Sequence, residues 1–528
     1  MALPKEPVMT RKRLLVGAAV MLVLATAGTL TLFGFGLLSP ATDYRPVPPG
    51  HQEIVFLAPA TSGEAWERLV AAVDVLHQES LKANAGTPRL NVFKQRAFTD
   101  LTADVPEVAI WPDGFENAKL WIRWYKLSSG HNTESWISSL TERPTPPLAV
   151  IGGDTSHRAL RVGEALERHR KDWQAAAPLF FITTATADRY IPNNTPNVST
   201  IDERWPKLID VYKGRSFRFS FTNSRMAAAV LDFVQSRNEL WPALKGKTNL
   251  YTLRWDDDSF SADLADRFDE VFLAKFPNGQ ASDFHIEYSG GDFFQPNPRE
   301  AFVVGQILPE LKEYHKLRQF MLLPADADRA RRFLRTVVRR SDPADLKNLI
   351  VMTGDSLGFN TIFRDRNVSW NIQDLPVPLV MFSHRNPVSK EVGFDEASAS
   401  GGTGTEDLLL YRDILETVLL TAYQGQKLTA SSDDLIRGLR ELCWSNGRVQ
   451  RMSKNDKTTP LFNPGDGNRS DGTGEHIIVL LPDLGRGVPQ ATIAVWNLES
   501  KPDLPPVWEP LRKLTVTYDA QLPDRPDI

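Results

Sequence analysis

The stretch that most constrains the fold of this chain runs from residue 249 to residue 276, NLYTLRWDDDSFSADLADRFDEVFLAKF. Residues 249–255 are apolar and aromatic, which predicts a short strand, and Ser259 can cap a helix in which apolar residues recur on one face. Three aspartates, residues 256–258, lie between the two elements, and Phe260 follows them. In open α/β sheets, ligands bind at the carboxyl ends of strands, where such a turn lies. The spacing therefore predicts that Phe260 forms one wall of a ligand site.

The same order of a strand followed by a helix recurs along most of the chain. Further strands are predicted at residues 53–59, 120–125, 147–153, 179–182, 284–288, 319–323, 349–352 and 378–382. We interpret the residues between 90 and 120 as an insertion before the second strand. The alternation predicts parallel sheets with helices on both faces. Because 528 residues are too many for one core, we expect two or three domains.

The composition argues against several classes of protein. A net charge of −4 gives no basic surface, which argues against nucleic acid as the main partner. The single cysteine, Cys443, cannot form an intramolecular disulfide, and its apolar surroundings predict a buried, inert thiol. The nine histidines show no metal-ligand spacing, so we expect neither a metal ion nor another cofactor.

The N-terminal region carries the signature of a membrane anchor. Residues 14–38 contain no charge and are long enough to span a bilayer, and the basic residues 11–13 precede them. This pattern predicts a cytoplasmic tail at residues 1–13, a single-pass anchor in the cytoplasmic membrane, and a globular part on the periplasmic or extracellular side. A cleaved signal peptide is the alternative, but the apolar run continues past the small residues 25–27. The Pro-rich residues 39–50 predict an extended tether.

Several local patterns together resemble the type I periplasmic binding proteins, and most closely the receptors for branched-chain amino acids that serve ABC import systems. The patterns are IVFLAPATSG, AVIGGDTS, PLFFITTATA, WDDDSFSADLA and LIVMTGDSLGFN, within residues 53–496. The resemblance implies two α/β lobes joined by three crossing segments, with the ligand between them. Lobe 1 would comprise residues 51–219 and 383–475, and lobe 2 residues 220–382 and 476–500. The Pro-rich residues 501–528 are expected to form a peripheral tail.

The resemblance also implies which side chains hold the ligand, namely Ser156, Thr183, Thr184, Thr186, Phe260 and Asp355. The serine and one or more of the threonines would hold a carboxylate, the ring of Phe260 would stack on the ligand, and Asp355 would pair with an ammonium group. The sequence departs from the family where Phe260 replaces the usual tyrosine, which removes a hydroxyl. The implied function is capture of a small polar solute, such as an amino acid or amide, without catalysis. An ABC permease or a membrane sensor protein would be the partner.

Three alternatives are weighed against this interpretation. Residues 354–358, GDSLG, fit the G-x-S-x-G pattern, so an esterase would use Ser356 as nucleophile. Only His384 and His476 lie downstream as its base, and neither has the aspartate three residues earlier that GDSL hydrolases use. The three aspartates could bind a cation, but a calcium loop also needs a glycine and a later glutamate. A degenerate binding module with a filled cleft, kept for protein contacts, is the remaining alternative.

Overall fold

The structure is a computed structural model, and its described residues are 46–83, 88–99, 104–190, 205–241, 247–256, 258–286, 298–366, 370–389, 405–424, 427–445, 448–452, 459–470, 474–484, 488–499 and 507–518. The predicted cytoplasmic tail and anchor, residues 1–13 and 14–38, lie outside these ranges. Within the ranges, no helix combines the length and apolar character that crossing a bilayer requires.

The first sheet has seven strands in the order β2-β3-β4-β1-β5-β6-β7. The strands are β1 (Gln52–Pro59), β2 (Leu90–Arg96), β3 (Glu107–Pro112), β4 (Leu120–Leu127), β5 (Ala149–Gly152), β6 (Leu179–Ile182) and β7 (Ser216–Arg218). Neighbours from β4 to β7 pair in parallel, whereas β2 and β3 are antiparallel additions at one edge. Helix α1 (Gly63–Lys82) covers one face, and α2 (Thr133–Thr141) and α3 (Ser156–Arg168) cover the other.

The second sheet begins with five parallel strands in the order β12-β11-β10-β8-β9. They are β8 (Thr248–Trp255), β9 (Gln280–Ile286), β10 (Arg318–Leu322), β11 (Leu349–Met352) and β12 (Leu379–Ser383). Helices α4 (Asn223–Ser236) and α5 (Ser259–Lys275) pack on one face. Helices α6 (Pro298–Glu313), α7 (Ala327–Arg340) and α8 (Phe359–Phe363) pack on the other. Short 3-10 helices lie at Leu208–Asp210 and Asn238–Leu240.

After β12 the chain returns to the first sheet. Helix α9 (Thr405–Ala422) packs with α1 in one apolar cluster, and the cluster extends to α10 (Ser432–Leu439). Five short strands accompany these helices: β13 (Tyr423–Gln424), β14 (Lys427–Leu428), β15 (Leu442–Ser445), β16 (Arg448–Arg451) and β17 (Thr459–Pro460). The chain then goes back to the second sheet, so it passes between the two sheets after β7, after β12 and before β18.

Three antiparallel strands complete the second sheet on the far side of β12. They are β18 (His476–Asp483), β19 (Gln490–Glu499) and β20 (Val507–Thr517), paired in that order. We call each sheet with its packed helices a lobe. The predicted α/β class with mostly parallel sheets is confirmed, and the lobe boundaries after residues 219, 382 and 475 stay predictions.

Two stretches differ from their sequence-based expectations. The stretch between 90 and 120, expected to be an insertion, supplies β2 and β3 at the edge of the first sheet, and the described residues after each of these strands form no helix. The prediction of a peripheral tail is wrong for residues 507–517, because β20 is the edge strand of the second sheet. Its Pro510 lies next to a shift in the β19–β20 register, and an edge strand tolerates the missing N–H at such a place.

Candidate functional site

A cavity of about 560 Å³ lies where the carboxyl ends of strands from both sheets meet. In the first lobe its lining comes from the turns after β5 and β6 and from the first turn of α9. In the second lobe it comes from the turns after β8, β10, β11 and β12. Because ligands bind at this edge of open α/β sheets, the cavity is the candidate site.

Five of the six side chains predicted to hold a ligand line this cavity, namely Ser156, Thr184, Thr186, Phe260 and Asp355. Thr183 is the exception, because it is buried beneath the wall and its hydroxyl donates to the Gly152 carbonyl at 3.3 Å. The structure therefore brings the two lobes' predicted residues together at one site and leaves Thr183 behind it.

The first-lobe wall carries four hydroxyl groups, three of which already have partners. Thr155 Oγ1 accepts a hydrogen bond from the Arg158 backbone N–H at 3.3 Å. Ser156 Oγ accepts a hydrogen bond from the Ala187 backbone N–H at 3.2 Å. Thr184 Oγ1 donates to the Asp154 carbonyl at 2.8 Å. Thr186 Oγ1 is buried and has no hydrogen-bond partner among the described residues. An unpaired buried hydroxyl costs free energy, so Thr186 is a candidate to bond a ligand.

The wall from the second lobe begins at the turn after β8. Asp258 caps α5 by accepting from the Phe260 backbone N–H at 3.0 Å, and this turn places the half-buried ring of Phe260 against the cavity. Asp256 bonds instead to His285 at 2.8 Å, and this bond is the main cause that raises the pKa of His285 to about 9. Asp257 lies outside the described residues. Asp256 and Asp258 thus bond to different partners.

Asp355 follows β11 and is oriented by His384. Its Oδ2 lies 2.9 Å from His384 Nε2, and His384 Nδ1 accepts from the Phe221 backbone N–H at 3.1 Å. Because Nδ1 is an acceptor, the ring proton is on Nε2, which donates to Asp355. The neutral imidazole therefore fixes the carboxylate in place without cancelling its charge.

Ser356 lines the same cavity but lacks the contacts of a serine nucleophile. Thr353 Oγ1 donates its hydrogen to the Leu323 carbonyl at 2.8 Å. Ser356 Oγ, 2.9 Å from Thr353 Oγ1, is therefore the donor of the hydrogen bond between these two hydroxyls. Both ring nitrogens of His384 are engaged elsewhere, and Nδ1 of His476 bonds a backbone carbonyl. The geometry gives the esterase alternative no support, because a nucleophile must donate its proton to a base.

Two acids from the start of α9 complete the cavity. Glu406 Oε1 accepts from the Phe359 backbone N–H at 3.4 Å, and Asp407 pairs with Arg68 at 2.5 Å. Burial raises the pKa of Glu406 to about 8, and the negative charges of Asp407 and Asp355 add to the shift. Burial also raises the pKa of Asp407. This end of the cavity therefore gathers three acidic side chains, those of Asp355, Glu406 and Asp407, of which Asp407 is paired with Arg68.

Two solved structures share this arrangement of lobes. A leucine-, isoleucine-, valine-, threonine- and alanine-binding protein from Brucella ovis, in a closed conformation, aligns with a TM-score of 0.50 and 12% identity over 90% of this chain and 99% of its own. A protein assigned to a branched-chain amino acid ABC transporter of Silicibacter pomeroyi aligns with a TM-score of 0.50 and 12% identity over 83% and 95%. The chain has the type I periplasmic binding protein fold. No family model matches the sequence, and the search of curated proteins found no match.

The periplasmic binding protein fold explains why the sequence analysis did not select Glu406 and Asp407. Two acids in the first turn of a helix are ordinary, because they complement the helix dipole. Only the chain's return from β12 to the first lobe brings the start of α9 to the cavity. The one local signal was the pair of adjacent acids at the start of the predicted helix, and it carries no information about that return.

Proposed function

We propose that the protein reversibly captures a small polar solute with an amino group, such as an amino acid or amide, in the cavity between its lobes. One observation carries this proposal. The hydroxyls of Ser156, Thr184 and Thr186 in the first lobe share a cavity with the ring of Phe260 and the carboxylate of Asp355 in the second. Hydroxyl groups suit a polar or anionic end of a solute, and a carboxylate suits its ammonium.

A solute in this cavity would contact both lobes at once. Contacts that form only when the lobes approach each other favour the closed arrangement, so binding and closure are linked. The chain passes between the lobes three times, which allows a rigid-body motion about those segments. Capture followed by release on opening is the cycle that we infer.

The setting of this activity follows from the N-terminal pattern. We propose that residues 14–38 tether the protein to the cytoplasmic membrane, with the lobes on the periplasmic or extracellular side. A tethered receptor can deliver its solute to an ABC permease nearby or report its bound state to a membrane sensor protein.

A thermal-shift screen with amino acids, amides and short peptides tests the proposed function. A solute present at about 100 times its Kd adds about 2.7 kcal/mol to the free energy of unfolding, which raises the melting temperature measurably. Asp355→Asn should abolish the shift while the protein stays folded, because an asparagine oxygen can still accept from His384. Asp172→Asn, at an exposed aspartate, makes the same change of charge as a control. A screen in which no solute shifts the wild type, or a shift that survives Asp355→Asn, would refute the proposal.

A further inference from the structure

A second cavity of about 210 Å³, which we call the side chamber, lies beside the acidic end of the main cavity. Asp355, Glu406 and Asp407 line both spaces, so they form the boundary between them. Phe359 and Pro387 are among the residues that line the chamber, and so is Arg68, whose charge is paired with Asp407. An elongated solute in the main cavity can therefore place one end against these acids.

The charges around the main cavity do not balance. Six carboxyl groups line it, from Asp154, Asp258, Asp326, Asp355, Glu406 and Asp407. Three of them have arginine partners: Asp154 pairs with Arg158, Asp326 with Arg329, and Asp407 with Arg68. Asp258 caps α5. In the part of the chain that the structure describes, Asp355 and Glu406 have no lysine or arginine partner, and the His384 ring beside Asp355 is neutral.

We propose, on the basis of the proposed function, that the solute carries two cationic groups, one bound by Asp355 and the second by Glu406 at the entrance to the side chamber. Neither acid has a lysine or arginine partner among the described residues, so each can receive a cationic group of the solute, Glu406 once it has released its proton. Bringing such carboxylates together away from water is unfavourable, and a cation between them offsets that cost. The solute class is a basic amino acid or a diamine of similar length.

The unpaired hydroxyl of Thr186 is a second observation, independent of the acids at the start of α9, that points to a ligand in the cavity. Thr186 is 1% exposed, lines the same cavity from the opposite lobe, and its Oγ1 has no partner among the described residues. Its hydroxyl is a candidate to bond a polar atom of the solute, whereas an acidic helix start needs no ligand. Polar side chains from both lobes thus fit a solute that is polar at both ends.

Binding of the second cationic group should release a proton. Glu406 faces Asp407 on its own helix, Asp355 after β11, and the Phe359 backbone N–H, and Asp407 in turn contacts Arg68. Burial is the largest cause that raises the pKa of Glu406 to about 8, and the charges of Asp407 and Asp355 add to it, whereas hydrogen bonds from Ser383 and from the Phe359 N–H oppose it. The carboxyl of Glu406 is therefore mostly protonated at pH 7. A cation beside it favours the ionised form and lowers this pKa, so affinity should rise as pH increases from 6 to 8.

Isothermal titration calorimetry on the full chain tests the proposal with three probes of similar length. Lysine carries two amines and a carboxylate, norleucine lacks the second amine, and 1,5-diaminopentane lacks the carboxylate. We expect lysine to bind at least about tenfold more tightly than norleucine, the equivalent of one pKa unit. Glu406→Gln should remove that difference. Glu64→Gln, an exposed glutamate that also pairs with Arg68, should leave it intact.

The outcomes distinguish this inference from the proposed function. If norleucine binds as tightly as lysine, or if Glu64→Gln acts like Glu406→Gln, the second cationic subsite is refuted while solute capture stands. If no probe and no solute in the wider screen binds, the proposed function itself fails. If 1,5-diaminopentane binds as tightly as lysine, the result supports a diamine as the solute. If only lysine binds, the result supports a basic amino acid.

A measurement on the wild type covers the case in which Glu406→Gln does not fold. Titrations at pH 7 in two buffers of different ionisation enthalpy give the number of protons released per solute bound. We expect about one proton released with lysine and none with norleucine. The same value for both probes would overturn the role of Glu406.

Discussion

Asp263 at the junction of the two lobes makes the stability of this protein depend on pH. The side chain lies on α5 and is fully buried, and its Oδ2 accepts from the Asp188 backbone N–H and from Asn223 Nδ2, both at 2.8 Å. Its Oδ1 has no hydrogen-bond partner within the described residues. Burial, with the nearby charge of Asp188, raises the pKa of Asp263 from 3.8 to about 7.

The size and sign of the effect follow from this shift. The folded protein keeps a proton on Asp263 up to about pH 7, whereas the unfolded chain releases it near pH 4. Between these values the folded state binds more protons, so the free energy of unfolding falls as pH rises. A difference of about 3 pKa units at 1.36 kcal/mol each amounts to about 4 kcal/mol over the whole window. Asp263→Asn cannot ionise and should not lose this stability.

Urea denaturation of the wild type and of Asp263→Asn, followed by tryptophan fluorescence from pH 4.5 to pH 8.5, measures the effect. The variant should gain stability relative to the wild type as pH rises, and the gain should level off above pH 7. Glu270→Gln, on the same helix with a side chain that is 67% exposed, controls for the loss of a carboxylate. If the difference in the free energy of unfolding between Asp263→Asn and the wild type does not change with pH, the reasoning is refuted.

Three further substitutions test other parts of the structure. Gly467→Ala should destabilise the protein by more than Gly465→Ala: both have positive φ, which costs about 1–3 kcal/mol, but only a Cβ on Gly467 meets a backbone oxygen, that of Ser216, at 2.3 Å. Equal losses in urea denaturation would contradict that close approach. Phe260→Ala should weaken solute affinity about tenfold in calorimetry, and unchanged affinity would remove Phe260 from the site. Ser356→Ala should cost about 1 kcal/mol of stability and leave esterase assays at background for both proteins, whereas ester turnover lost in the variant would restore the hydrolase alternative.

Much of the candidate site could be predicted from the sequence, because the patterns that mark its residues are local. The run of aspartates followed by Ser259 and Phe260 predicts a strand-to-helix turn, and such turns in parallel sheets collect at one edge. Asp355 follows a strand in the same way. Thr183 shows the limit of this reasoning, because the direction of a side chain after a strand depends on the local turn, and here the hydroxyl bonds Gly152 behind the wall.

The parts that the sequence did not predict depend on contacts distant along the chain. β2 and β3 form an antiparallel pair, and no helix follows either strand in the residues described, so a search for alternating strands and helices passes over them. β20 contains a proline and belongs to the sheet only through its pairing with β19. Glu406 reaches the cavity through the return of the chain to the first lobe. In each case the deciding contact is absent from the local pattern.

The interrupted course of the second lobe has a consequence for biosynthesis. β12 is made well before β18, the strand that covers its outer edge, and the residues of α9 to β17 are synthesised between them. Until β18 leaves the ribosome, the outer edge of β12 presents backbone groups without their partner strand. Translation is thus the period in which this chain is most exposed to mispairing with other nascent chains, and a chaperone that shields one strand edge would protect it.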